Sequence, residues 1–294
     1  MRILLVAGGG IGNVVMATPA VAALADMGCE VHVRLEAEAR CAAELLRGWA
    51  ALAGVCEDRC PGPERFDTVV HTVWSRPRGI HPDERSPGPV DLRLMHEAKA
   101  NMLPVRALGY VGPMPPAHVE FDAPAEAHEL APGGYWALAT GCKADAFWER
   151  KRWSPRGWRE LARRLPGPAV FLGAEAESRP WMSDGARLFD LTGKTTLREA
   201  AGLIAGARAF VGIDNGLAHV AGAVGARAVV LFGATSEVKS RPLGPRVRVL
   251  SRDVGCRPCQ MTGRWRECAE WRCMGFPPEV AAAAALETAP EAGP

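Results

Sequence analysis

The chain has 294 residues, room for two domains of ordinary size, and its 48% hydrophobic and 23% charged residues suit a water-soluble globular protein. A net charge of +2 does not mark a nucleic-acid binder, and no run of about 18 apolar residues offers a membrane-spanning helix. Met1-Arg2 leads straight into a strand, without the apolar core and cleavage site of a signal peptide, so a cytoplasmic protein is expected.

Arg2-Ile-Leu-Leu-Val-Ala7 reads as a buried strand, Gly8-Gly-Gly-Ile-Gly-Asn13 as a glycine-rich turn, and Val14 to Met27 as an apolar helix. Glycines here let backbone N–H groups approach a ligand, with a helix N-terminus behind them. The spacing is not the dinucleotide fingerprint, and no acidic residue stands at the distance that fingerprint requires. A second strand is expected at Glu30–Leu35, a helix at Cys41–Leu52 and a third strand at Thr68–Trp74. Residues 75–90, rich in Pro, Gly, Arg and Asp, read as a loop. Arg76, Arg78, His81 and Arg85 in it suit a solvated surface or, alternatively, an anionic acceptor. Arginine outnumbers lysine 30 to 5 in the whole chain, which fits a GC-rich genome or a demand for bidentate phosphate contacts. His96-Glu-Ala-Lys-Ala-Asn101 opens a helix toward Leu108-Gly109, with His96 and Glu97 its titratable pair; capping charges on a surface helix are the plain alternative.

Asp122 to Gly134, interrupted by Pro and Gly, reads as a linker, so domains are expected at 1–128 and 129–294. Tyr135–Thr140 starts the second sheet, and Gly141-Cys-Lys143 follows at its carboxyl end. Ser154 caps a helix with Pro155 at its first position, and Lys151 and Arg152 come just before it. Pro168–Gly173 is a strand that leads into Ala174-Glu-Ala-Glu177. A carboxylate at that point, Glu177 ahead of Glu175, can accept both hydroxyls of a ribose; a helix N-terminal acid is the alternative. Phe189-Asp-Leu-Thr-Gly-Lys-Thr-Thr-Leu197 follows, with Gly193 permitting close backbone approach and Thr196 capping a helix to Ala205.

Val211-Gly-Ile213 finishes an apolar strand, Asp214, Asn215 and Gly216 turn, and Leu217–Val224 is a helix with small and apolar residues on every side. Gly225 ends it, and Ala228–Gly233 is the next strand, so the two strands should be parallel with a right-handed crossover. Ligands of such sheets sit at the carboxyl ends of strands, beside helix N-termini that favour phosphate. Asp214, Asn215, Gly216 and His219 stand there; a buried unit with an N-cap aspartate is the alternative. Four of the nine cysteines form Cys256-x2-Cys259-x8-Cys268-x4-Cys273, a local site rather than a disulfide framework. Zinc, an iron–sulfur cluster, free thiols and disulfides are all open there. Pro278–Leu286 is a strong helix former expected to cross back toward the first domain.

Asp214-Asn-Gly-Leu-Ala-His219, the small-residue helix and Leu231-Phe-Gly-Ala-Thr235 together resemble the signature of the heptosyltransferase family, glycosyltransferase family nine. Four more segments fit it: the glycine turn with Val14-Val-Met-Ala-Thr-Pro-Ala20, the helix opening at His96, Lys151-Arg-Trp-Ser-Pro-Arg-Gly-Trp158, and Leu191-Thr-Gly-Lys-Thr195. The resemblance therefore spans residues 2–280. It implies an α/β chain of GT-B architecture, two doubly wound Rossmann-like domains facing a cleft, with the acceptor in the first and a nucleotide sugar in the second. The implied reaction is inverting transfer of a sugar, usually heptose from ADP-heptose, to a glycan, lipid-linked or small-molecule hydroxyl, a modified nucleobase being a further possibility. No cofactor is required, and the enzyme works in the cytoplasm or at the periphery of the inner membrane. Related cysteine sets occur in part of the family.

The donor residues implied are Gly10, Gly12, Thr140, Lys151, Arg152, Glu177, Thr192, Gly193, Lys194, Asp214, Asn215, Gly216, Leu217 and His219. Many members carry Asp where this chain has Asn13, and that Asp is regarded as the base that deprotonates the acceptor. Asparagine cannot take a proton at physiological pH. Asn13 is then left to orient substrate, His96 and Glu97 are the candidate substitutes for the base, and Lys151 serves the leaving group. A nucleotide-sugar-binding protein without turnover, or a sugar-nucleotide epimerase on the same fold, are the rival readings.

Overall fold

The computed structural model describes residues 1–57, 61–75, 84–85, 90–123, 130–143, 145–183 and 187–289, and divides into two compact units, Met1–Phe121 and Asp122–Pro294. Arg76, Arg78 and His81 lie outside the described residues. No described helix is long and apolar enough to cross a membrane.

The first unit is built on strand β1 (Arg2–Ala7), whose residues from Ile3 onward are fully buried. Alternation sends Ile3, Leu5 and Ala7 into one core with helix α1 (Ile11–Asp26), strand β2 (Glu30–Leu35) and helix α2 (Glu97–Ala107). Leu4 and Val6 face the other way, onto Val69 and Phe66. Strands β3 (Gly54–Cys56), β4 (Thr68–His71) and β5 (Glu84–Arg85) complete an all-parallel sheet in the order β3-β2-β1-β4-β5.

Helix α1 is buried nearly all round, as its sequence requires. Pro19 inside it has no N–H to give the Val15 carbonyl, and the Thr18 hydroxyl donates there instead, at 2.7 Å. The helix begins at Ile11, earlier than the expected Val14, because the Asn13 side chain folds back to take the Gly10 N–H at 2.9 Å. Gly12 and Asn13 therefore belong to its first turn rather than to a free glycine loop. The helix expected at Cys41–Leu52 is instead a 3-10 segment over Ala37–Leu45, followed by turns in which Gly48 takes φ +92°. The third strand stops at His71, three residues short of Trp74, and the expected loop at 75–90 contains the short strand β5.

The second unit carries a six-stranded parallel sheet in the order β11-β10-β9-β6-β7-β8. Its strands are β6 (Trp136–Ala139), β7 (Ala169–Phe171), β8 (Leu188–Asp190), β9 (Ala209–Ile213), β10 (Ala228–Phe232) and β11 (Val247–Ser251). Strands β8 and β11 are additions to the elements expected from sequence. Helices α3 (Pro155–Arg164), α4 (Leu197–Gly206), α5 (Gly216–Ala223), α6 (Glu237–Ser240) and α7 (Pro278–Thr288) accompany the sheet. Ser154 accepts the Gly157 N–H at 3.0 Å to cap α3, and Thr196 accepts the Glu199 N–H at 3.2 Å to cap α4. Alanines 281, 282, 284 and 285 of α7 enter the core of Trp136, Leu138, Trp158, Phe171 and Leu231. Helix α7, expected to run back toward the first domain, thus packs on α3, β9 and β10 of the second unit.

Candidate functional sites in the two units

In the second unit the chain leaves β6 toward β7 and β8 on one side and leaves β9 toward β10 and β11 on the other. The two strands are neighbours, so their carboxyl ends flank the point where the connections diverge, the place where open α/β sheets bind ligands. Buried Thr140 and Gly141 follow β6, and Asp214 and Asn215 follow β9. Asn215, not Asp214, caps α5: its Oδ1 accepts the Ala218 N–H at 3.0 Å and its Nδ2 donates to the Gly141 carbonyl at 2.8 Å. That second bond ties the two strand ends together. Gly216 and Leu217, the first residues of α5, follow with backbone N–H groups in the helix's opening turn.

Lys151 is buried, and its Nζ donates to Asp214 Oδ2 and to the Asp214 carbonyl, both at 2.8 Å. It also lies 4.3 Å from the Trp148 ring centroid. An ammonium has three N–H donors, so Asp214 takes two and the cation keeps one for a ligand. His219 places Nε2 3.9 Å from Asp214 Oδ1, and its buried Nδ1 has no hydrogen-bond partner among the described residues. Burial by itself would push the Asp214 carboxyl up; Lys151 and His219 beside it prevail and hold it well below the usual carboxylate range.

Arg152 is less available than its sequence position suggests. Its Nε donates to Glu149 at 2.7 Å and its Nη2 to the Cys142 carbonyl at 3.1 Å. Burial pushes the Cys142 thiol up to about 11, which leaves it a poor nucleophile. Glu177 is half-buried over two glycines: a Cβ on Gly141 would overlap its carboxyl carbon, at 1.6 Å, and one on Gly173 would meet its Oε2 at 2.1 Å. Burial raises its pKa, opposed by the Ala174 N–H that it accepts at 3.2 Å. Glu175 is exposed, with its backbone against Gly193. Thr192 and Lys194 are held locally: Asp190 Oδ1 accepts the Thr192 N–H at 3.0 Å and its hydroxyl at 2.5 Å, and the Asp190 carbonyl accepts Lys194 Nζ at 2.6 Å. Gly193 between them takes φ +70°. Thr235, beyond β10, is fully buried.

The first unit presents a second constellation at its own divergence point, between β1 and β4. Gly10 caps α1, and Gly12 lies buried in the first turn. Gly10 and Gly12, expected among the donor residues, therefore stand in this unit and not in the one that holds Lys151 and Asp214. Asn13 donates from Nδ2 to Glu97 Oε2 at 2.9 Å, and the Trp74 indole N–H donates to the same oxygen at 2.9 Å. Glu97 is 1% exposed, and His96 caps α2 by accepting the Ala98 N–H at Nδ1, at 3.1 Å. Trp74, which no local spacing links to Glu97, was not among the expected site residues, nor was Trp148, although it stands only three residues before Lys151. No acidic residue was expected at the distance the dinucleotide fingerprint requires, yet Glu36, directly after β2, brings its carboxylate over Gly8, where a Cβ would meet Oε2 at 2.2 Å.

The four late cysteines gather in one loop, and each of Cys256, Cys259 and Cys268 acts electrostatically on Cys273. Burial raises the thiol pKa of Cys259 and Cys273, and the neighbouring sulfurs add to it. No three His, Cys, Asp or Glu side chains among the described residues converge at metal-ligating distance, so the arrangement as it stands does not fit the expected metal centre.

Residues 102–269 match the profile of glycosyltransferase family 9 (heptosyltransferase). Lipopolysaccharide heptosyltransferase 1 of Pseudomonas aeruginosa is 34% identical over 118 residues, covering 38% of this chain and 33% of that protein. Lipooligosaccharide heptosyltransferase 2 of Haemophilus influenzae is 34% identical over 120 residues, covering 37% of this chain and 35% of that protein. The chain thus spans about a third of the length of the curated relatives it matches. Among solved structures, the family 9 glycosyl transferase of Veillonella parvula superimposes with a TM-score of 0.80 at 16% identity, over 98% of this chain and 96% of that one. Escherichia coli heptosyltransferase WaaC with ADP does so at 0.70 and 17%, over 98% and 100%. The iron-containing heptosyltransferase TibC, in complex with ADP-D-beta-D-heptose, does so at 0.69 and 17%, over 98% and 74%. At such identities the likeness is one of fold, and it bears out the α/β GT-B class expected from the sequence.

Proposed function

We infer the reaction from one premise: the chain belongs to glycosyltransferase family 9, the heptosyltransferases. The proposed activity is inverting transfer of a heptose-type sugar from a nucleoside diphosphate donor to an acceptor hydroxyl, in the cytoplasm. The observation that carries it is the buried Lys151–Asp214–His219 group at the divergence point of the second sheet, beside the N-terminus of α5. An ammonium with one N–H to spare and the free amides of a helix's first turn together suit a diphosphate, and both gain strength as charge builds on the leaving group. Glu177, over Gly141 and Gly173, is the proposed partner of the ribose hydroxyls. ADP in the WaaC structure and ADP-D-beta-D-heptose in that of TibC support an adenosine diphosphate donor.

The first unit is the proposed acceptor side. There Glu97, oriented by Asn13 and Trp74, takes the hydroxyl proton as the acceptor oxygen bonds to the anomeric carbon and the bond from that carbon to the phosphate oxygen breaks. Asn13 is a positioning group in this scheme, since both ends of its amide are engaged, by Gly10 and by Glu97. A binding protein without turnover and an epimerase are not favoured, because the family profile and the curated relatives are those of transferases. A metal at the Cys256–Cys273 loop is a separate proposal, supported by the placing of four cysteines in one loop and by the iron-containing neighbour. It requires the loop to tighten, and no step of the transfer is assigned to it.

The test is a thermal-shift screen of nucleotide sugars followed by turnover. A true donor at 100 times its dissociation constant adds about 2.7 kcal/mol of stability. Product from that donor with the anomeric configuration inverted supports the proposal; retention of configuration, or binding of no nucleotide sugar, overturns it.

A further inference from the structure

The turn that carries Lys151 is held from both sides within the second unit. On one side Lys151 reaches Asp214; on the other, Arg150 enters the cysteine loop. Its Nη1 donates to the Cys268 carbonyl at 2.6 Å, and its Cζ lies 5.7 Å from the Trp265 centroid and 5.3 Å from that of Trp271. Its Nε is buried with no hydrogen-bond partner among the described residues, so the aromatic faces and one carbonyl hold the group. Phe147 meets Trp265 edge-on at 5.1 Å and Trp148 at 4.6 Å, and Trp148 is the ring beneath the Lys151 ammonium. Trp271 has φ +46°, the left-handed region, where it is the one non-glycine residue among those described. Conformations of that kind persist where the surroundings over-determine them, and they cluster at working sites. The loop is anchored in turn at the end of β10, where the Gln260 N–H donates to the Ala234 carbonyl at 3.0 Å and Arg257 Nε to the Gly233 carbonyl at 2.7 Å.

We propose that Arg150 is a positioning residue for donor binding: docked on the cysteine loop, it fixes the 3-10 turn Trp148–Lys151 and so aims Lys151 at the donor diphosphate. This rests on the donor-site reading given above. The cysteine loop then serves as the platform from which the cationic side of the site is set, and a change in that loop reaches the nucleotide through Arg150.

A double-mutant cycle on the full chain, read by calorimetry with ADP as the probe, tests it. Lys151→Ala is expected to weaken ADP binding about 10- to 100-fold. Arg150→Ala is expected to weaken it about three- to tenfold, and the double variant to be no more than about twofold worse than Lys151→Ala alone. Arg150→Lys keeps charge and stem while losing the planar fork, and should recover part of the loss. Trp271→Gly suits the left-handed backbone, removes one face of the stack, and should by itself weaken ADP binding about three- to tenfold, which keeps the test available should Arg150→Ala not fold. Additive losses, or wild-type affinity in Arg150→Ala or Trp271→Gly with Lys151→Ala still impaired, overturn the positioning role. Indifference of ADP binding to Lys151→Ala overturns the donor-site reading itself, and this proposal with it.

Discussion

The Asn13 amide donates to Glu97 Oε2 at 2.9 Å, across 84 positions of sequence. The bond joins the first turn of α1 to the first turn of α2, and it sets a residue that cannot take a proton against a buried carboxylate that can. Glu97→Gln should therefore lower turnover at saturating donor by about 10²–10⁴-fold, the usual worth of a general base. Asn13→Ala should cost about tenfold, since one oriented neutral hydrogen bond is worth about 1 kcal/mol. If Asn13→Asp strongly raises activity while Glu97→Gln leaves it unchanged, the base position is 13 and the assignment of Glu97 is wrong.

Lys151→Ala should weaken nucleotide-sugar binding by about 1.5–3 kcal/mol, the range for a hydrogen bond to a charged group. It should also destabilise the fold by about 3–5 kcal/mol, because it leaves the Asp214 carboxylate buried without its cation. The pH dependence of stability changes with it. In the native chain the folded pKa of Asp214 lies below its unfolded value of about 3.9, so its contribution is present above that pH and is lost as pH falls toward the folded value. Without Lys151 only His219 is left to oppose burial, so the folded pKa rises and the stability this group supplies at neutral pH shrinks. Denaturant unfolding of both proteins between pH 3.5 and 7.5 reads the difference; parallel curves would sink the argument.

Glu177→Gln should separate stability from binding. Burial raises the folded pKa of Glu177, so its contribution to stability is present below the unfolded value of about 4.3 and is lost as pH rises through the folded value. The amide escapes that loss, and the thermal midpoint at pH 7.5 should rise by about 1–3 °C. Nucleotide affinity should fall about tenfold, as one charge-assisted bond to the ribose becomes a neutral one. A lower midpoint, or unchanged affinity, contradicts the proposed role.

Protein purified without chelator should contain about one zinc or iron per chain at the cysteine loop. Binding should release protons, because burial and neighbouring sulfurs keep the Cys259 and Cys273 thiols protonated until a metal replaces the proton. Elemental analysis paired with a thiol count of Cys256, Cys259, Cys268 and Cys273 checks this. Metal-free protein of full activity, with all four thiols reactive after unfolding, removes the metal from the account.

Local physics made much of this chain legible from its sequence. The βαβ unit around Asp214, the caps at Ser154 and Thr196, and strand β2 at Glu30–Leu35 all follow from periodicity and capping chemistry acting within a few residues. The absence of a proton acceptor at Asn13 needed only the side chain's identity. Strands β3, β5 and β8, each two or three residues long, leave no period to detect, and the 3-10 segment at Ala37–Leu45 replaces the helix its composition favours. What only the tertiary structure decided is which distant groups meet. Strand β6 lies beside β9 rather than only beside its sequence neighbour, and that order places Lys151 on Asp214, 63 residues away, and Asn215 on the Gly141 carbonyl, 74 away. Trp74 and Asn13 reach one oxygen of Glu97 in the same way. Such pairings depend on strand order and on the burial that makes an unpartnered polar group costly, and neither is set by residues adjacent in sequence.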